Sequence, residues 1–204
     1  PNLVQGLAGT VKAVFGMKPD PDFTSLAEAP RTIFNVNVTP QRRVATQATS
    51  LERLKAIGEA AGGSINDVVL AASSGAMRRF LLEIGELPRK SLVALPRDSN
   101  QAGGNAISFA NVRLGTDIED VRERFDVIRR SSTAGREFLK QMSTKTLMDY
   151  TVLISSPQIL TRLPGIGSRV PPTYNVIISN VPGPRGKLYF LGSEMEAYYP
   201  ISAL

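Results

Sequence analysis

The 204 residues contain no cysteine and no histidine. Without cysteine there is no disulfide framework and no thiolate chemistry, and a reducing compartment is permitted. Without histidine the commonest general base is missing, together with the usual Ser/His and Cys/His nucleophile pairs and most zinc sites. Aromatics make up only 6% of the chain and do not alternate with basic residues, which argues against a stacking platform for single-stranded nucleic acid. No block of like charge stands out, because the net +6 is spread almost evenly along the sequence. No apolar run approaches the length of a membrane span, the N-terminus lacks a signal-peptide pattern, and no internal repeat is visible. What remains is the composition of an ordinary globular protein, long enough for one large domain or two small ones.

The most constrained stretch is Tyr174-Asn-Val-Ile-Ile-Ser-Asn-Val-Pro-Gly-Pro-Arg-Gly186. Its β-branched Val176, Ile177 and Ile178 read as an interior strand that breaks into a turn. Pro182-Gly183 suits the central pair of a type II turn, and Val181 and Gly183 are restricted further because each precedes a proline. A stiff turn at the mouth of a buried strand can hold the Asn180 amide out to a ligand; equally, Asn180 can bond only its own backbone.

Upstream, residues 1–16 carry a weak apolar helical face ending at Gly16, and 17–22 read as a linker. Thr32-Ile-Phe-Asn-Val-Asn-Val38 alternates with period two and Arg43 to Thr49 does so more weakly, so a hairpin or two successive strands is expected. Ser50 caps a helix with Leu51, Leu54 and Ile57 inward, closed by Gly62-Gly63. Ser64 caps the next, whose stripe runs Ile65, Val68, Val69, Ala72, Ala76 and Phe80. Asp67, three residues after Ser64, fits a capping box and favours the helix dipole. Asn66 has no capping duty, and its functional reading is a donor beside a buried polar ligand atom.

Leu92 to Pro96 and Ala106 to Leu114 read as strands around a polar loop with two glycines, which lacks a P-loop pattern. Thr116-Asp-Ile-Glu119 is a capping box for a helix with Ile118, Val121, Phe125 and Ile128 inward, Asp120/Arg124 and Asp126/Arg130 being spaced for i,i+4 pairing. A helical pattern resumes through Phe138, Leu139 and Met142; a further helix carries Leu147, Met148, Val152 and Leu153, and Pro157 begins a short turn. Lys187 to Leu191, Met195 to Tyr199 and the final Pro200 to Leu204 read as strands. No close carboxylate pair lies in a buried setting, so no catalytic residue is assigned within the chain. Two polar turns, at Asn66 and Asn180, amid apolar lining suit the binding half of a site whose reactive group lies on another segment.

Ile65-Asn-Asp-Val-Val-Leu-Ala71 and Ile178-Ser-Asn-Val-Pro-Gly-Pro184, about 110 residues apart, resemble the two distal signature segments of the bacterial wax ester synthase/diacylglycerol acyltransferase family. Asp149-Tyr-Thr near Ser156-Pro157 and Ala197-Tyr-Tyr-Pro200 are also similar, so the likeness covers about residues 30–204. The resemblance implies an α/β (α+β) chloramphenicol-acetyltransferase-like lobe, a mixed β-sheet covered by helices, with residues 1–30 an interlobe linker and 31–204 a C-terminal lobe truncated at its end. It implies acyl transfer from acyl-CoA, a substrate and not a resident cofactor, to a fatty alcohol or diacylglycerol. The partner is an N-terminal lobe whose His-His-x-x-x-Asp-Gly motif, lacking here, supplies the base. Matched to the family's motifs, Asn66, Asp67, Asn180, Pro182 and Gly183 line or brace the site. Pro96-Arg-Asp-Ser-Asn100 departs from the family pattern, which removes a ligand role for that loop from the carry-over. Long apolar substrates fit a cytoplasmic protein in peripheral contact with a membrane or lipid droplet. The rival readings are a non-catalytic lobe that only packs against a partner and, on the charge alone, an anion or nucleic-acid binder.

Overall fold

The computed structural model describes residues 20–36, 41–98, 110–143, 145–152, 171–180, 183, 186–197 and 199. The expected elements at 1–16, 157 onward and 200–204 lie outside them, as does the first part, residues 106–109, of the strand expected at 106–114. Helix α1 spans Leu51–Ala60 and α2 Ile65–Glu83. Strands β1 (Val93–Asp98) and β2 (Val112–Arg113) follow, then helix α3 (Val121–Lys140) and strand β3 (Val176–Asn180). Residues 145–152 are also helical. The chain forms a mixed sheet in the order β2-β1-β3, β2 antiparallel and β3 parallel to β1, so the α+β architecture is as expected. The β3 register runs from Ala94 opposite Val176 to Asp98 opposite Asn180. Among the described residues β3 pairs only with β1, and Ile177 on its outer face is exposed.

Leu70, Leu81, Leu92, Ala94, Val112, Leu114 and Ile128 make the main core, with Val176 and Ile178 packed against it. Each fully buried leucine there contributes about 1.5–3 kcal/mol. The buried face of α2 runs Asp67, Val68, Leu70, Ser74 and Leu81, so Val68 of the expected stripe is buried, whereas its Ala72, Ala76 and Phe80 are exposed. Two polar residues occupy core positions because each is hydrogen-bonded: Ser74 Oγ donates to the Leu114 carbonyl at 2.6 Å, and Asp67 is held by Ser64. In α1 the inward position is Gly58, not Leu51 or Ile57, both of which are exposed. A methyl on Gly58 would meet the Gly63 carbonyl at 3.1 Å, so close helix–turn packing replaces side-chain burial. Gly62, at φ +66°, ends the helix as expected.

Three other expectations are corrected. Residues 33–35 form a 3-10 turn, not a strand: Thr32 caps it, and Asn35 Nδ2 reaches across to the Tyr174 carbonyl at 3.0 Å. Residues 41–50 carry no regular structure. Helix α3 begins at Asp120, whose Oδ1 accepts the Arg122 and Glu123 amides; Thr116 instead accepts the Leu92 amide at 2.8 Å, fully buried. The expected i,i+4 pairs are replaced by Asp126 with Arg129 and Arg130 with Asp22, while Arg124 is buried against the Ile118 and Glu119 carbonyls. In addition, α3 continues unbroken to Lys140. Tyr189–Phe190 (β4) and Ser193–Glu194 (β5) form a hairpin through Leu191 and Gly192, both at positive φ as a primed turn requires, so its second arm starts before the expected Met195.

A second cluster joins Phe138, Leu139 and Tyr150 to Phe23, whose ring centroid lies 4.3 Å from that of Phe138. Burial pushes the Tyr150 hydroxyl up to about 12. Burial here disfavours the phenolate, so the unfolded chain loses this proton first as pH rises past about 10. Stability is therefore expected to fall between pH 10 and 12, by about 2 kcal/mol from this group. Denaturant midpoints of the protein and Tyr150→Phe over that range check it: the variant lacks this component, and equal slopes contradict the assignment.

Residues 20–30 are fastened to the lobe. Thr24 and Ser131 share a buried hydroxyl bond of 2.7 Å, Arg113 pairs with Glu28 at 2.7 Å, and Asn111 Nδ2 donates to the carbonyls of Ser25 and Thr173.

Candidate functional site

The first turn of α2 and the end of β3 carry the site residues read from the sequence. Ser64 and Asp67 form the expected capping box: Asp67 Oδ2 accepts the Ser64 amide at 2.8 Å and its hydroxyl at 2.7 Å, and Ser64 Oγ accepts the Asp67 amide at 3.3 Å. Asp67 is 1% exposed, and its second oxygen, Oδ1, is buried with no hydrogen-bond partner among the described residues. Gly63 lets this turn close on α3, since a methyl there would stand 2.7 Å from the Phe125 ring and 3.4 Å from Asp67 Oδ2. The capping box, the dipole and this packing fix the neighbouring Asn66 in the second helical position. Asn66 is half-buried, and among the described residues its side chain has no hydrogen-bond partner.

Asn180 closes β3 opposite Asp98. Strand alternation puts it on the same face as Val176 and Ile178, which pack against the core under the helices. It too is half-buried and without a side-chain partner among the described residues, so it does not satisfy itself locally. No hydrogen bond joins Asn66 to Asn180. Pro182 lies outside the described residues; Gly183 is exposed, with open space where a Cβ would stand. Two half-buried amides with unspent donors and acceptors can orient a polar ligand atom, and neither can remove a proton at neutral pH.

The structure adds buried groups that the sequence did not flag. Arg78 Nη1 donates to the Thr116 carbonyl at 2.7 Å beside Arg124, and together they tie down the 115–120 loop. Burial first, and then the Arg78 charge, lower the Arg124 pKa. Asn175, directly before the β-branched run of β3, is 6% exposed and makes three hydrogen bonds. Its position at a strand entrance was the only available signal. Among the described residues no group of His, Cys, Asp and Glu could hold a metal ion, and no helix is long and apolar enough to cross a membrane.

Two family models match the chain in order: the wax ester synthase/diacylglycerol acyltransferase catalytic domain over residues 1–69, and the WS/DGAT C-terminal domain over residues 103–204. The likeness thus extends to residue 1, beyond the expected start near residue 30. A Mycobacterium tuberculosis H37Rv protein with a provisional diacylglycerol O-acyltransferase name is 39% identical over 198 residues, covering 91% of this chain and 40% of the relative. The O-acyltransferase WSD of Acinetobacter baylyi is 34% identical over 206 residues, covering 99% of this chain and 44% of the relative. The solved wax ester synthase/diacylglycerol acyltransferase from Marinobacter aquaeolei VT8 is similar with a TM-score of 0.71 at 29% identity, covering 97% of this chain and 43% of that one. This chain therefore spans less than half the length of these relatives, and it belongs to the wax ester synthase/diacylglycerol acyltransferase family.

Proposed function

We propose that this chain is the C-terminal lobe of an O-acyltransferase that moves a long-chain acyl group from acyl-CoA to a fatty alcohol or diacylglycerol. The observation that carries the reading is the succession of the two family matches, with the ordered motifs around Asn66 and Asn180 within or beside them. In the reaction the alcohol oxygen attacks the thioester carbonyl, the C–O bond forms, the C–S bond breaks, and the alcohol proton passes through a base to the departing CoA thiolate. With no histidine in the chain, that base belongs to the His-His-x-x-x-Asp-Gly motif of an N-terminal lobe. The contribution of this lobe is binding and orientation: Asp67 holds the turn, and Asn66 and Asn180 present their amides to polar atoms of the thioester or alcohol. Pro182 and Gly183 brace the strand end.

The intact protein is expected to release CoA and form ester from a labelled long-chain acyl-CoA with a fatty alcohol or diacylglycerol; absence of ester with both acceptors overturns the reading. Asn66→Ala and Asn180→Ala, made separately in the intact protein, are expected to lower kcat/KM by about tenfold to a hundredfold each, the range for an orienting donor. Their melting temperatures should stay close to the parent, since neither side chain has a partner to lose. Unchanged kinetics with unchanged stability would favour the rival, a lobe that only packs against its partner.

A further inference from the structure

Helix α3 carries its charges in an order that its pairing does not explain. At about 100° per residue, Arg122, Arg129, Arg136 and Lys140 fall within an arc of about 40° and form a line about 27 Å long. The acids Glu123, Asp126 and Glu137 lie together on the neighbouring arc. Ile128, Phe138 and Leu139, roughly 80° to 180° round the helix from the line, are buried in the lobe, and so is Phe125, only about 20° from Arg136. Arg122 and Lys140 are exposed, and Arg129 and Arg136 half-buried.

The line is incompletely neutralised. Asp120, four residues before Arg124, is used as the helix cap, and Arg130 turns away to Asp22. Arg129 meets Asp126 only at 3.4 Å, and Lys140 meets Glu137 at 2.7 Å, both exposed pairs of small worth. Arg136 donates to the hydroxyls of Ser132 and Thr133 and to no carboxylate. Arg122 has no side-chain partner among the described residues, although it sits in the first turn, where the helix dipole disfavours a cation. A charge kept against local preference and left unpaired is where an external anion is to be sought.

We propose that this line is the contact surface for an anionic phospholipid bilayer. The three arginines are spaced by seven residues, about 10 Å, which is too far for one phosphate to bridge and suited to successive headgroups in a plane. Guanidinium forks match phosphate oxygens, and the buried apolar face of α3 leaves the contact electrostatic, without insertion. The inference rests on the reading that the substrates are lipids, which a bilayer supplies laterally.

The test is co-sedimentation of the intact protein with phosphatidylcholine vesicles, with and without phosphatidylglycerol, at low and high salt. Binding is expected only to the anionic vesicles at low salt. The double variant Arg122→Glu/Arg136→Glu should weaken it at least about tenfold, and Arg89→Glu/Lys90→Glu, an equal charge change in the exposed loop before β1, should weaken it far less. Equal loss in both variants, equal binding to neutral vesicles, no vesicle binding by the parent, or retention of duplex DNA as the only arginine-dependent binding would each overturn the proposal. Acyl transfer in detergent should be unchanged by Arg122→Glu/Arg136→Glu. Because pelleting does not depend on catalysis, a failed activity reading and a failed bilayer reading remain distinguishable.

Discussion

Asn175→Ala is expected to destabilise the lobe by about 3–5 kcal/mol. The side chain is at the entrance of β3, 6% exposed, with three of its four hydrogen-bonding positions used. Oδ1 accepts the Val93 amide at 2.9 Å, while Nδ2 donates to the Pro30 carbonyl at 2.6 Å and to Asn35 Oδ1 at 2.8 Å. One amide thus joins the central strand, the 3-10 turn and the segment before it. Alanine leaves the buried Val93 amide and the half-buried Pro30 carbonyl without this partner, at about 1–3 kcal/mol each, and adds a small cavity. For a chain of this size the loss corresponds to a melting temperature lower by about 10 °C. Asn175→Asp keeps the acceptor for Val93 but places a carboxylate oxygen against two other oxygens, so it should be no better than alanine. A shift below about 2 °C for both variants would mean that the Asn175 network is not holding these elements together.

The second large effect is expected at Asp67. Truncation to alanine removes the two hydrogen bonds that Oδ2 accepts and the reciprocal half of the capping box, a loss of about 2–4 kcal/mol. Ser64→Ala removes the hydroxyl and leaves the Ser64 amide bonded to Asp67, so it should cost nearer 1 kcal/mol. Because the two residues bond each other, the double variant should cost less than the summed singles by about 1 kcal/mol. Additive losses in that cycle would contradict the reciprocal bonding. Loss of the cap also frees Asn66, so Asp67→Asn, which keeps the acceptor without the charge, should retain most of the stability and is the suitable background for separating folding from catalysis.

How far these features could be read from the residues depends on what each one bonds. The β-branched run of β3, the Ser50 cap, the Ser64/Asp67 box and the Gly62 stop were legible because local sterics and local hydrogen bonds decide them. The buried face of α2 was legible only in part. Apolar periodicity selects Ile65, Val68, Val69, Ala72, Ala76 and Phe80, of which Val68 is buried, whereas the core also accepts Asp67 through the capping bonds of Oδ2 and Ser74 through its bond to Leu114. Thr116 illustrates the same conflict: its spacing to Glu119 matches a cap, but the Leu92 amide, 24 residues away, takes its hydroxyl. Alternation at residues 32–38 suggested a strand because nothing local reveals that Asn35 bonds Tyr174 and Asn175, some 140 residues later. Asn66 is singled out by elimination, as a polar residue in a helical turn without a capping role, and Asn180 by its place at a strand end; among the described residues both side chains are half-buried without a partner. The proposed acyl-transfer chemistry rests on the resemblance, since the chain holds no histidine to serve as its base.

The central claim is that this polypeptide supplies the orienting wall of an acyl-transfer site and another segment supplies the imidazole. The direct measurement is ester formation from labelled acyl-CoA and a fatty alcohol by these 204 residues, assayed alone and after co-expression with a polypeptide bearing the paired-histidine motif. Ester is expected only from the combination, and only while the histidines of that motif are intact. Sustained turnover by the 204-residue chain alone, or ester that survives replacement of those histidines, would contradict the account.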